Sequence, residues 1–557
     1  MASRKSTKNA KPGLSQRRRG SGTKGVGAST RAPADAAPRA YQFPSIARES
    51  LRLYQEWLHI IWGTSEREIP AKDLRFADSG WRESPIYRRL AQGYLSFCEA
   101  VDAVVDENPD WRKRERARFL TGILTSGMAP TNTLWGNPAA VKRAYETGGA
   151  SLLQGMRNML ADIAQKKAIP TQVNPSAFKV GGNLAVTPGS VVLRNEMVEL
   201  LQYRPTTAGV REYPTLMIVP PIGKYYFMDL APGRSFVEFA VSRGIQFFAT
   251  SWRNPEPRHS TWELNDYVKT CLEAVDAICA ITNSPKVNIL GLCAGGIIAT
   301  LMLNYMAATR DKRINVAAFG VMLLDFEAEA PIAAFQSKRL LKVARRQSAS
   351  KGILPASSLS NVFAWMRPND LVWNYWCNNY LMGKDPPSFD ILAWSVDGTN
   401  LPAALHGQFL DIFEHNVMLK RGAFKVLGKA VDFKRIKIET FVTGALTDHL
   451  TPWKACYRTT QLLGGPSTFI LSNAGHIASL VNPPGNPKAS YYTGPKPGAD
   501  SEEWLRGGQK HVGTWWEAWS AWVLKRSGPE RPAPIQLGNK RHPPLAGAPG
   551  EYVKTKA

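Results

Sequence analysis

Long apolar runs are missing from this 557-residue chain. None approaches the roughly 18 residues of a membrane-crossing helix; the longest candidate is residues 316–324. Cysteine is sparse: Cys98, Cys271, Cys279, Cys293, Cys377 and Cys456 are scattered with no C-x-x-C pair. That spacing argues against a zinc site or a disulfide framework, so no metal and reduced thiols are expected. Acidic residues are outnumbered, 45 against 70 Lys and Arg. The basic amino terminus has no apolar core after it, so neither a secretory signal nor a twin-arginine signal fits Arg17-Arg18-Arg19. The cytoplasm is the expected compartment. No internal repeat and no nucleic-acid module appears, so nucleic acid is not an expected partner.

What is present suits a globular enzyme: an apolar fraction of 44% and enough length for two or more domains. The net charge of +25 is uneven, because residues 1–40 hold ten Lys or Arg against the single acid Asp35, leaving +16 for the rest. Residues 1–41 read as a disordered basic tail. The remaining surplus could steer a polyanion such as the phosphates of coenzyme A. Residues 42–190 read as a helical domain, broken by proline-containing stretches at Met128-Ala129-Pro130-Thr131-Asn132 and Asn137-Pro138. From residue 191 to 530 short β-branched and aromatic runs alternate with helix-like segments, the pattern of a mostly parallel sheet. Strands are predicted at 191–193, 215–219, 246–251, 287–290, 316–324, 438–443 and 468–471, with a helix at 264–281 whose apolar face takes in Cys271 and Cys279. Residues 326–428, rich in aromatics, interrupt the alternation and read as a cap over the active site. Residues 531–557 form a carboxy-terminal extension.

The most informative segment is Gly291-Leu292-Cys293-Ala294-Gly295-Gly296, between the run at 287–290 and a helix-like stretch at 297–307. A strand, a glycine-bounded turn and a helix lift the middle residue to the top of a sheet as a nucleophile, the arrangement of an α/β-hydrolase-type fold. Cysteine in that position points to acyl transfer through a thioester. A thiol attacks well only as thiolate, so Cys293 needs a base and gains from a helix N-terminus. Eight histidines are candidates: His59, His259, His406, His415, His449, His476, His511 and His542.

In this sheet type the chain order is nucleophile, carboxylate, histidine, the latter two on loops after late strands. Asp448 follows the predicted strand at 438–443, and His476 follows the one at 468–471. His449 competes for the role of base but precedes the last strand.

At this point the chain resembles the polyhydroxyalkanoate synthases of the single-chain type, classes I and II. The likeness covers nearly everything after the tail. It is carried by Arg75-Phe76-Ala77-Asp78-Ser79-Gly80-Trp81, by Ser251-Trp252-Arg253-Asn254-Pro255, by the Cys293 box, by Arg367-Pro368-Asn369-Asp370-Leu371-Val372-Trp373 and by Asp448-His449, Gly475-His476 and Asn482-Pro483-Pro484-Gly485. One departure is the loop Pro220-Pro221-Ile222-Gly223-Lys224, a residue shorter than the family pattern. The N–H of Ala294, with a second N–H from that loop, is expected to stabilise the tetrahedral intermediate, as the resemblance implies. Ile222 is the candidate for that second donor. The resemblance implies Cys293 as the acyl-bearing nucleophile, His476 as base and Asp448 as its partner. It implies polymerisation of an (R)-3-hydroxyacyl-coenzyme A to a polyester, with coenzyme A released and no other cofactor. It also implies a homodimer working at a polyester granule surface. Two rivals remain from the residues alone: an acyl-coenzyme A thioesterase or ester hydrolase with the same triad, and a non-catalytic granule or nucleic-acid binding protein.

Overall fold

The computed structural model describes residues 38–557. The expected disordered tail lies outside the described residues up to position 37; positions 38–41, placed in that tail from composition, instead open the first helix. Five longer helices build the amino-terminal region: α1 Pro38–Trp62, α2 Pro85–Asp106, α3 Trp111–Gly127, α4 Pro138–Glu146 and α5 Ala150–Ala164. Their starts follow local chemistry. Pro85 and Pro138 sit at first-turn positions, where a missing N–H costs nothing. The Asp110 carboxylate caps α3 by accepting the N–H groups of Arg112 and Lys113. Phe76, Trp81, Ala91, Tyr94 and Ala129 form a small core between these helices.

The rest is organised by one eleven-stranded sheet. In chain order its strands are β1 Gly189–Arg194, β2 Val198–Tyr203, β3 Thr215–Ile218, β4 Phe247–Trp252, β5 Val287–Leu292, β6 Ile314–Gly320, β7 Thr440–Ala445, β8 Ser467–Ser472, β9 Ser490–Thr493, β10 Gln509–Val512 and β11 Ala546–Gly547. They lie side by side as β10-β9-β8-β7-β6-β5-β3-β4-β2-β1-β11. The six from β8 to β4 are parallel, and the flanking pairs are antiparallel. β5 is buried along its whole length, as expected of a strand covered on both faces. Helices α6 Leu264–Thr282 and α7 Ala294–Ala308 cover it. On α6, Leu264, Tyr267, Val268, Cys271, Val275 and Ile278 are buried, the stripe its period implies.

The apolar run at 316–324 is not one strand: β6 stops at Gly320, and Val321 turns with φ 44° to give its N–H to the Thr443 carbonyl of β7. β2 was illegible because Glu199 and Gln202 break its apolar pattern although every residue in it is buried. Their partners come from the far carboxy terminus: Glu199 accepts the N–H groups of Glu551 and Tyr552, and Gln202 accepts that of Gly538.

Between β6 and β7 the chain leaves the sheet for helices α8 Lys338–Lys351, α9 Ala356–Met366, α10 Asp390–Val396 and α11 Ala403–His415. Wide turns at Asn369–Trp373 and Trp376–Leu381 join α9 to the following loop. The amino-terminal region holds this segment through backbone groups: Trp376 donates to the Asn132 carbonyl at 3.0 Å, and Asn158 donates to that of Asn379 at 3.0 Å. The Tyr380 hydroxyl donates to Asp162 at 2.8 Å. No described helix is long and apolar enough to cross a membrane.

Candidate active site

Cys293 stands between β5 and α7 with φ 49° and ψ −126°, a conformation that costs a non-glycine residue about 1–3 kcal/mol. The strain is held by close packing on either side. A Cβ on Gly291 would lie 2.8 Å from the Gly296 Cα, and one on Gly295 would lie 2.5 Å from the Val219 carbonyl carbon. The Cys293 N–H donates to the Gly320 carbonyl at 2.9 Å, which ties the turn to β6. Its side chain is half-buried and stands at the N-terminal end of α7.

Asp448 lies on the loop after β7, and His476 opens α12 Trp453–Leu462's successor in the chain, the short helix α13 His476–Val481. Their side chains meet with His476 Nδ1 2.7 Å from Asp448 Oδ2. Both are buried. Burial opposes the charge on Asp448, yet the His476 ring and the donors of Thr451 outweigh it and hold the carboxyl below its usual range. Burial likewise opposes the imidazolium, but the Asp448 carboxylate first and the Cys293 sulfur second hold His476 well above its ordinary value. The structure therefore brings Cys293, His476 and Asp448 into one electrostatic unit.

The other candidates separate from it. His449 is pushed down by burial and by Arg367 of the segment between β6 and β7, and the carboxylate of Asp448 is bonded to His476 instead. Cys271 and Cys456 are fully buried thiols pushed up by that burial, and neither stands at the turn between β5 and α7. Among the described residues the N–H groups of Ala294 and Ile222 donate to no protein acceptor, so both are free to serve a ligand oxygen.

Several contributors were not singled out from sequence. Thr451 donates its hydroxyl to Asp448 Oδ2 at 2.7 Å, and the N–H groups of Leu450 and Thr451 donate to Oδ1 at 2.8 and 2.9 Å. An Asp followed by Thr three positions on is the available signal for such a turn. Behind His476, the indoles of Trp515 and Trp516 donate to the carbonyls of Ser479 and Leu480 at 2.7 and 2.9 Å. They satisfy the carboxy-terminal end of α13, and nothing in their spacing announces it.

A parallel sheet with a strained nucleophile at a strand-to-helix turn, followed in the chain by a bonded Asp and His, defines an α/β-hydrolase-fold enzyme. Residues 225–483 match the family described as alpha/beta hydrolase fold, and residues 72–240 match the Poly-beta-hydroxybutyrate polymerase (PhaC) N-terminus. The chain is 42% identical over 499 residues to Poly(3-hydroxyalkanoate) polymerase 2 of Ectopseudomonas oleovorans, covering 89% of both. It is 37% identical over 511 residues to Poly(3-hydroxyalkanoate) polymerase subunit PhaC of Cupriavidus necator, covering 90% of this chain and 86% of that one. Among solved structures, the monoacylglycerol lipase of Paleococcus ferrophilus aligns with 59% of this chain and 99% of its own at 13% identity and TM-score 0.34. The chain belongs to the poly(3-hydroxyalkanoate) polymerase family and is an enzyme of the acyltransferase type.

Proposed function

We propose that the chain polymerises (R)-3-hydroxyacyl-coenzyme A into polyester through an acyl group held on Cys293. The observation that carries this reading is Cys293 on the strained turn, beside a His476 that Asp448 holds at 2.7 Å. In loading, His476 takes the thiol proton and the Cys293 sulfur attacks the acyl carbon of the substrate thioester. The free N–H groups of Ala294 and Ile222 suit the oxyanion of the tetrahedral intermediate. That intermediate collapses by breaking its bond to the coenzyme A sulfur, which leaves with the proton returned by His476. One thioester replaces another, so the acyl group stays activated.

In elongation, His476 takes the proton of the 3-hydroxyl of an incoming unit, and that oxygen attacks the chain on Cys293. An ester forms as the Cys293 sulfur leaves and regains a proton. The lengthened chain, now a coenzyme A thioester, reacylates Cys293. Coenzyme A acts only as part of the substrate and as the leaving group. Water would end the chain by hydrolysis, and the aromatic-rich cap suits its exclusion. The basic surplus of the chain suits the phosphates of coenzyme A.

A polyester granule surface and a second copy of the chain are the proposed partners. Leu51, Tyr54, Ile61 and Trp62 on α1, with Leu153, Met156, Leu160 and Ile163 on α5, are exposed apolar residues that fit contact with such surfaces. The test is turnover of short and medium (R)-3-hydroxyacyl thioesters, following coenzyme A and polymer together in the wild type and in Cys293→Ala. Polymerised units should match coenzyme A released, and the Ala variant should do neither. Free hydroxyacid without polymer would assign the site to a hydrolase.

A further inference from the structure

The loop that carries Ile222 is not self-supporting; it is fastened to the cap. Two positions beyond Ile222, Lys224 Nζ lies 2.8 Å from Asp397 Oδ1, and both side chains are almost fully buried, at 4% and 8% exposure. The Tyr226 hydroxyl donates to the other oxygen, Oδ2, at 3.0 Å. Asp397 directly follows α10, so the contact joins an α/β-core loop to the cap. The same seam is closed by backbone. Gly223 pairs antiparallel with Gly398, and the Trp394 indole donates to the Lys224 carbonyl at 2.7 Å. The fit leaves no slack, since a Cβ on Gly223 would stand 2.9 Å from Trp394 Cζ2. Lys556, near the carboxy terminus, adds a second cation 3.3 Å from Asp397 Oδ1.

Adhesion alone does not call for this chemistry. Burying two charges costs several kcal/mol per ion before their attraction offsets it, and apolar side chains of similar volume hold surfaces together at least as well. What an ion pair with fixed partners adds is a single register. Here the register is that of Gly223 against Gly398, and it sets where the peptide of Ile222 lies relative to Cys293.

We propose that Lys224 and Asp397 are positioning residues that hold the oxyanion loop through the cap, so that the donor at residue 222 is in place only while segment 394–398 is seated. Cap seating and acylation are thereby coupled. The inference rests on the reading of Cys293 as nucleophile and of the 222 N–H as an oxyanion donor.

The test compares Lys224→Met, Asp397→Asn and the double variant Lys224→Met/Asp397→Leu in the full chain. Each is assayed for steady-state coenzyme A release, for thermal midpoint, and for alkylation of Cys293 by iodoacetamide. Alkylation is a displacement at saturated carbon and needs no oxyanion donor. The expected result is a kcat lower by on the order of 10- to 100-fold, with KM changed by less than about 3-fold and the alkylation rate unchanged. The double variant, whose apolar pair replaces the ions, should regain the wild-type thermal midpoint but not kcat.

Wild-type kcat in the folded double variant would overturn the proposal. So would a loss of alkylation in step with kcat, because the damage would then lie at Cys293 itself. Cys293→Ala is run in parallel: if it still polymerises, the nucleophile reading fails, whereas a dead Cys293→Ala beside a fully active double variant removes only the present inference.

Discussion

His476 and Asp448 are 28 positions apart in the chain and 2.7 Å apart in the fold, Nδ1 to Oδ2. Parallel strands β7 and β8 bring them together, because each strand delivers its following loop to the same edge of the sheet. The carboxylate is in turn held by three donors from Leu450 and Thr451. Its orientation is therefore set before any substrate arrives.

Asp448→Asn should keep that turn and lose the chemistry. An amide in this place holds the imidazole in the wrong tautomer, and coenzyme A release should fall by about 10³- to 10⁴-fold. Circular dichroism and thermal midpoint should stay close to wild type. A rate within tenfold of wild type would remove Asp448 from the site.

The elbow should be intolerant of a single methyl group. Gly295→Ala would press a Cβ to 2.5 Å from the Val219 carbonyl carbon, backbone that has no room to retreat, and should destabilise the fold by about 3 kcal/mol. Gly122→Ala is the contrast. It lies inside α3 with no atom within 4 Å of the added Cβ, and should stabilise by roughly 0.5–1 kcal/mol. Urea titration of the two variants checks both signs.

Acid should weaken the packing of α11 on α8 through His406. This side chain on α11 is buried, with Nδ1 2.8 Å from the Ser348 hydroxyl of α8, and burial with the nearby Arg345 pushes it down to about 4. The unfolded chain takes up the same proton near its unperturbed value of about 6.5. The contribution is thus complete above pH 6.5 and is lost as pH falls through 4. At about 1.4 kcal/mol per pH unit, the span amounts to roughly 3 kcal/mol. His406→Asn should show a correspondingly flatter decline in stability between pH 7 and pH 4, and an unchanged slope would refute the assignment.

The amino-terminal region should govern how firmly the cap sits. Gly155 on α5 faces the Tyr380 backbone so closely that an added Cβ would be 2.8 Å from its carbonyl carbon. Gly155→Ala should part the two, speed proteolysis between residues 376 and 387, and raise the share of free hydroxyacid over polymer. Equal protection from protease in both proteins would count against this coupling.

The local chemistry of the chain was enough to show the elbow. A strand run, a glycine-bounded Cys293 and an apolar helix are neighbours in sequence, so their steric demands can be read from side-chain size and order alone. Asp448 and His476 were legible for a related reason: each follows a β-branched strand, and strand ends are where parallel sheets place their loops. β2 was not legible, since the acid and amide that spoil its pattern are satisfied by residues 336 positions later, for Gln202 and Gly538, and 353 positions later, for Glu199 and Tyr552. Lys224 and Asp397 were equally silent. Either would pass for a solvated surface charge, and only the folding of the cap onto the core puts both out of water and within 2.8 Å of each other. Covalent order dictated which groups follow each strand, whereas burial and pairing of distant polar groups depend on surfaces that exist only once the chain has closed on itself.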